Sequence, residues 1–488
     1  MSELKKPLVI VSNRLPVVIS RDEKNDWRVE PAAGGLVTAL APLMRREHGL
    51  WIGWPGSPPD SPAAALLDEY RQEAGFDLRS VPLTDSEVEK YYRGFSNETI
   101  WPLFHDLLGH CRFEAANWVS YVEVNRKFAE VVASSVQPES LIWIHDYQLL
   151  LVGHFLRDLG LHHRLHFFLH IPFPSYDLFR RLPWKQDLLE AVLAYDHIGF
   201  QTALDRRNFV QCIRNLMPES SARIVSRQLG IEYDSRSIRL GQYPVSIDFD
   251  EFDTQARSPE VKEAAWFIHK NLPGRSLILG IDRLDYTKGI PERLLAFERT
   301  LEKYPDLRGH ISLVQIVIPS RVKVPDYQNL KQELDELVGR INARFSQHGW
   351  VPIHYMYRQL DRVQLLGHYR ACEIALITPL RDGMNLVAKE YCACSIDDNG
   401  VLVLSEFAGA ATQLSKAAIM VNPYDLEGMA DAIYAAFVTT PQERQRRMRL
   451  LRQEVKRNDV NKWVEGFLSP DAEQPTPAAV PAETSKAT

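Results

Sequence analysis

Apolar residues along this chain gather in short runs with little polar alternation: LVIVS at 8–12, LIWIH at 141–145, HFFLH at 166–170 and HIGF at 197–200. The pattern resumes with LILGI at 277–281, LVQIVI at 313–318, IALIT at 374–378, VLVLS at 401–405 and AIMV at 418–421. Runs of four to six residues enriched in β-branched side chains are those of strands covered on both faces, as in parallel sheets. Longer stretches of helical period lie between them, such as 291–304 (PERLLAFERTLEKY) and 328–345 (QNLKQELDELVGRINARF). Strands alternating with helices predict a doubly wound α/β architecture with parallel sheets flanked by helices. The strand pattern pauses between about 205 and 275, where charged helix-like segments intervene. One sheet holding all these strands would be unusually wide, so two domains across a cleft are expected, 1–248 and 249–457. The stretch 469–488 is rich in Pro, Ala and Thr without periodicity and is expected to be disordered.

The chain has 488 residues, a length for about three ordinary domains or two large α/β units. Its formal net charge of −6 offers no basic excess for a nucleic-acid or membrane partner, so any phosphate binding must be local. No apolar run is long enough to cross a bilayer and the start does not read as a cleavable signal, so a cytoplasmic location is expected. The five cysteines are scattered; Cys392 and Cys394 read as buried thiols on a helix rather than metal ligands.

In open parallel sheets ligands bind beyond the carboxyl ends of the strands. Polar residues follow the apolar runs there: Asn13 and Arg14, His145 and Asp146, His170, Asp282 and Arg283 with Lys288, Arg321, then Arg381 and Asp382. Singly, each cation reads as a solvated loop residue. Together, Arg14, Arg283, Lys288 and Arg321 would repel one another unless an anion such as phosphate neutralised them. Gly34 and Gly35 open one helix, and the stretch 382–390 (DGMNLVAKE) opens another, where amides and dipole favour an anion; the plainer alternative for the second is an Asp N-cap. Glu390 is placed to chelate ribose hydroxyls. Neither a dinucleotide fingerprint nor a P-loop is present. The histidines of 162–166 (HHRLH) read as a solvated turn, and Asp248 of 248–250 (DFD) as a helix cap.

Taken together, VSNRLPV, AAGGL, YYRGFSNETIWPLFH, IWIHDYQLL, FFLHIPFPS, DRLDYTKGIPERLLAFE, TPLRDGMNLVAKEY and SEFAGAA resemble the trehalose-6-phosphate synthase family, over residues 8–468. The resemblance implies the glycosyltransferase-B fold, two Rossmann-like domains facing across a cleft, with 458–468 crossing back to the first. It implies transfer of glucose from UDP-glucose to glucose 6-phosphate, giving α,α-trehalose 6-phosphate with retention and no metal or cofactor. Carried over by motif, Arg14, Tyr92 and Arg321 contact the acceptor phosphate, and Trp101 and Asp146 hold the acceptor sugar. Gly34, Gly35, Arg283 and Lys288 contact the diphosphate. Asp382, Gly383, Met384 and Asn385 contact the donor glucose, as does His170, which bears on anomer selectivity. Leu386, Val387, Ala388, Lys389 and Glu390 take phosphate at their amides and ribose at Glu390, while Leu360 meets the base through its backbone.

No carboxylate pair at the spacing of a covalent retaining mechanism stands out, which favours front-face transfer with Asp146, His170, Arg283 and Lys288 as the catalytic set. Alternatives are a glucosylglycerol-phosphate synthase of the same fold, or a silent homologue that senses sugar phosphates. The preferred nucleotide stays open, as does assembly as a homodimer or homotetramer. A separate trehalose-6-phosphate phosphatase is the expected downstream partner.

Overall fold

The computed structural model describes residues 7–22, 24–32, 34–225, 230–321 and 324–469. A first sheet draws on β1 (Leu8–Arg14), β4 (Leu50–Trp54), β5 (Asp77–Ser80), β6 (Leu141–His145), β7 (Arg164–Phe168), β8 (His197–Phe200), β9 (Ala222–Val225), β10 (Gly230–Tyr233) and β11 (Arg236–Gln242). A separate hairpin pairs β2 (Val17–Arg21) with β3 (Trp27–Pro31). The second sheet holds β12 (Ser276–Arg283), β13 (Ile311–Ile318), β14 (Ile353–Tyr357), β15 (Ile374–Ile377), β16 (Val401–Ser405) and β17 (Ile419–Val421). All nine apolar runs are strands, and both long periodic stretches are helices, Ile290–Lys303 and Pro325–Phe345.

The first sheet runs β5-β4-β1-β6-β7-β8-β11-β10-β9, the second β14-β13-β12-β15-β16-β17. Six strands in each follow the doubly wound order 3-2-1-4-5-6, all parallel. The order reverses between β1 and β6 in one sheet and between β12 and β15 in the other, and these are the crevices where such folds bind ligands. Central strands are buried along their length, β6 and β16 completely.

The expected pause between 205 and 275 is corrected in part: helices occupy 203–216, 249–256 and 259–271, but β9, β10 and β11 lie there too. The antiparallel β9–β10 pair sits at the sheet edge, where Arg223 and Glu232 form a cross-strand ion pair, so its polar pattern hides the strands. The 162–166 turn is also corrected. His162 is exposed, but His166 lies on β7, buried against His197 and Phe467.

First-sheet strands end at Gln242 and second-sheet strands begin at Ser276. The last helix, Val460–Leu468, lies on the first sheet: Trp463 packs on Trp143 and Phe168, and Phe467 stacks on Trp143 and His197. From residue 470 onward the expected disordered tail lies outside the described residues. Cys392 and Cys394 are buried thiols on helix Leu386–Cys394, and Asp248 caps Phe249–Ala256 by accepting from Glu251 N at 2.9 Å.

Candidate active site

Four of the expected residues come from the strands flanking the two switch points. Arg14 ends β1, Asp146 follows β6, Arg283 ends β12, and Asp382 lies in the loop after β15.

One cluster centres on Tyr92, in the wide π-type helix Val88–Ile100, a form often found at functional sites. The Arg14 guanidinium lies 4.2 Å over the Trp54 ring, itself edge-on to Tyr92. Gly56, at φ 85°, leaves room for it, because a Cβ there would meet Arg14 Nη1 at 2.4 Å. Arg321 stacks 4.4 Å over Trp101, and its Nη2 reaches Tyr147 Oη at 3.4 Å. Burial pushes the Tyr92 phenol up, yet the charges of Arg321, Arg14 and Arg283 together hold it below its ordinary value. The charges of three guanidiniums from both lobes therefore act on one phenol. Among the described residues neither Arg14 nor Arg283 forms a direct ion pair with a carboxylate, although the Arg283 charge acts on Asp146 and Asp285.

Asp285, which the sequence reading did not single out, is the hub beneath this cluster. Its buried carboxylate accepts through Oδ1 from Trp101 Nε1 (3.3 Å), Thr287 N (3.0 Å) and Thr287 Oγ1 (2.8 Å), and through Oδ2 from Arg321 Nη1 (3.0 Å) and Tyr327 Oη (3.1 Å). Burial pushes its carboxyl up, but Arg321, Lys288 and Arg283 outweigh that and hold it below the ordinary value. Its only sequence signal is a place inside DRLDYTKG. Asp282, by contrast, is occupied by the fully buried Arg293 at 2.6 Å and holds the lobe together.

The second cluster forms around the loop after β15. Lys288 Nζ donates to Asp382 Oδ2 at 2.5 Å, and Asn385 Nδ2 donates to the same oxygen at 3.1 Å. Burial opposes ionisation of Asp382, but Lys288 holds its pKa below the ordinary value. The Asp N-cap alternative is corrected: Asn385, in the left-handed region at φ 75°, caps the helix by accepting from Ala388 N at 3.1 Å. Gly383 passes so near the first lobe that a Cβ would lie 2.1 Å from the His170 carbonyl. The helix Gly35–Glu47 starts against the other helix start, a Cβ on Gly35 meeting Leu386 at 2.8 Å. The starts of these two helices thus lie close together, and amides at a helix start favour an anion.

Asp146 and His170 join the clusters. Asp146, with backbone φ 75°, accepts at Oδ1 from His170 N at 3.2 Å, and burial pushes its carboxyl up to about 7. Glu390 accepts from Tyr369 Oη at 2.7 Å, and burial raises its pKa. Two expected residues turn their side chains elsewhere. Lys389 Nζ donates to the Val245 carbonyl at 2.7 Å, and Leu360 is buried in the core ahead of helix Arg362–Ala371.

The sequence model of glycosyltransferase family 20 matches residues 6–472. The chain belongs to that family. It is 42% identical over 471 residues to a trehalose-6-phosphate synthase of Mycolicibacterium gilvum, covering 95% of this chain and 93% of that one. A solved Escherichia coli structure bound with UDP-2-fluoro glucose shares 37% identity, with a TM-score of 0.85 over 95% of this chain and 98% of that one. A Burkholderia xenovorans α,α-trehalose-phosphate synthase (UDP-forming) in complex with glucose-6-phosphate shares 35%, with a TM-score of 0.83 over 94% and 98%. The family-20 chain described here is therefore a glycosyltransferase of glycosyltransferase-B fold, within the trehalose-6-phosphate synthase family.

Proposed function

We propose that this family-20 enzyme moves glucose from UDP-glucose to glucose 6-phosphate, forming α,α-trehalose 6-phosphate with retention and without a metal. The observation that carries the reading is the convergence of Arg14, Arg283 and Arg321 on Tyr92, a concentration of positive charge that a phosphate monoester relieves. Trp101 and Asp146 hold the acceptor sugar beside it. The diphosphate lies between the facing helix starts, with Gly34, Gly35, Lys288 and Arg283 on the departing oxygens and Glu390 on the ribose.

Negative charge grows on the diphosphate as the glycosidic bond breaks, so Lys288 and the amides lower the barrier by meeting that charge. Asp146 orients the acceptor hydroxyl, and the leaving phosphate takes its proton on the same face of the sugar. Holding both sugars in one cleft makes the encounter effectively unimolecular.

The test is incubation of EDTA-treated protein with glucose 6-phosphate, glycerol 3-phosphate and a panel of nucleoside diphosphate glucoses, with the product identified by NMR. An α,α-linked disaccharide phosphate from UDP-glucose is expected. A glucosylglycerol phosphate, a β-linkage or no product would overturn the proposal.

A further inference from the structure

His145 ends β6 and is completely enclosed, and neither its position nor its chemistry is used by the mechanism above. Its Nδ1 lies 3.0 Å from His170 Nε2, the rings tilted by 28°. Burial drives both imidazoles below their ordinary range, His170 to about 3, so both are neutral at physiological pH. A contact between two neutral ring nitrogens holds one proton, so one ring donates and the other accepts.

The far nitrogen of His145 decides which. His145 Nε2 is buried without a hydrogen-bond partner among the described residues. The Trp143 ring lies 4.5 Å from the imidazole, and its Nε1, which can only donate, is likewise buried and unpartnered. If His170 donated, His145 would carry its proton on Nε2, adding an unmet N–H to a space that already holds one. A buried unmet N–H is costly, and a second one beside the indole N–H would add to that cost, whereas a bare ring nitrogen there adds no donor. The proton therefore belongs on His145 Nδ1, donated to His170 Nε2, which leaves the His170 proton on Nδ1. Behind this pair, Trp463 of the helix Val460–Leu468 packs on Phe168 and stands 6.1 Å from the His170 ring, so that helix braces it.

We infer that His145 is a positioning residue that fixes the tautomer and ring orientation of His170, so that His170 meets the donor sugar with Nδ1–H as a hydrogen-bond donor. The role of His170 rests on the proposed glucosyl transfer; its tautomer does not. The first measurement is the ¹⁵N pattern of histidine-labelled wild-type protein without substrate, in which His170 is expected to carry its proton on Nδ1. A proton on Nε2 overturns the inference, and this readout stands even if a variant fails to fold. The second measurement is kinetic. His145→Phe, which keeps the ring and loses the donor, should lower kcat about 10- to 100-fold with KM for glucose 6-phosphate little changed. His145→Asn, whose amide N–H stands near the position of Nδ1–H, should recover most of that loss. In a His170→Ala background His145→Phe should cost less than about twofold, because its effect passes through His170. An equal loss in both backgrounds, or no recovery by Asn, would show a merely structural role. Failure of the wild type to make the disaccharide phosphate would instead count against the proposed function.

Discussion

Asp285→Asn tests the hub under the acceptor cluster with almost no change of shape. The carboxylate of Asp285 takes three donors on one oxygen and two on the other. An amide replaces one of those acceptors with a donor, so its NH2 faces either Trp101 and Thr287 or Arg321 and Tyr327. The less costly orientation keeps the oxygen toward Arg321 and leaves the Trp101 and Thr287 N–H groups unmet, while Arg321 loses its neutralising charge. Breaking a buried ion pair by removing one partner costs about 3–5 kcal/mol, and the lost neutral bonds fall within that figure. The pH dependence has a definite sign. The folded pKa lies below the unfolded value, so the stabilisation is complete above about pH 4 and disappears as pH falls through the folded pKa. Urea unfolding of wild type and Asp285→Asn from pH 7 to pH 3.5, followed by tryptophan fluorescence and circular dichroism, should therefore show a large gap at pH 7 that begins to narrow at the acid end. Equal midpoints at pH 7, or a gap that widens in acid, would refute the hub.

Lys288→Ala should lower turnover by about 10²- to 10³-fold, read as UDP release, by removing a charged donor from the leaving group; an unchanged rate rejects that role. Gly383→Ala places a methyl group 2.1 Å from the His170 carbonyl, so the loop must shift. Reduced turnover and a loss of about 1–3 kcal/mol in stability are expected, and wild-type values for both would show that the approach is not tight. Burial lowers Lys389 to about 7 from its ordinary 10.5, so wild-type stability should rise with pH across that window. Lys389→Met should flatten this component in urea titrations at several pH values; a parallel rise in the variant would place the titration elsewhere.

Most of the second sheet was legible because its central strands are covered on both faces and so read as unbroken apolar runs. The strands that escaped notice carry the marks of partial solvation. β14 is half-buried, with Lys331 lying over its Tyr355 and Tyr357 rings; β5 and β9 end the first sheet, β10 adjoins β9, and β11 beside it is only partly buried; and β2 and β3 form a hairpin outside it. β4 is the exception, a buried interior strand whose Trp and Gly residues conceal its period. The site divides in the same way. Arg14, Asp146, Arg283 and Asp382 could be found because topology puts ligands at strand ends, whatever the packing. Asp285 and Tyr327 could not, because an acidic or phenolic residue shows its partners only after folding brings separated segments together. The Asp N-cap alternative failed for a local reason: Asp382 looks like a cap, but Lys288 from another strand end claims it and Asn385 caps the helix instead.

The four cations differ in what holds them. Lys288 pairs with Asp382 and Arg321 with Asp285, both within the second lobe, so these two are held by carboxylates of their own lobe. Because each already has a carboxylate, a phosphate bound as proposed would share it, and its net gain there is small. Arg14 and Arg283 come from opposite lobes and have no such partner among the described residues. Both charges act on Tyr92, so in the proposed function a phosphate beside it meets guanidiniums that no ion pair already neutralises. On the proposed function, attraction for the anion thus comes mainly from the guanidiniums without an ion pair, and the geometry of transfer from the paired cations. This separation explains why a chain of net negative charge can hold a strongly cationic cleft without losing the alignment that sugar transfer requires.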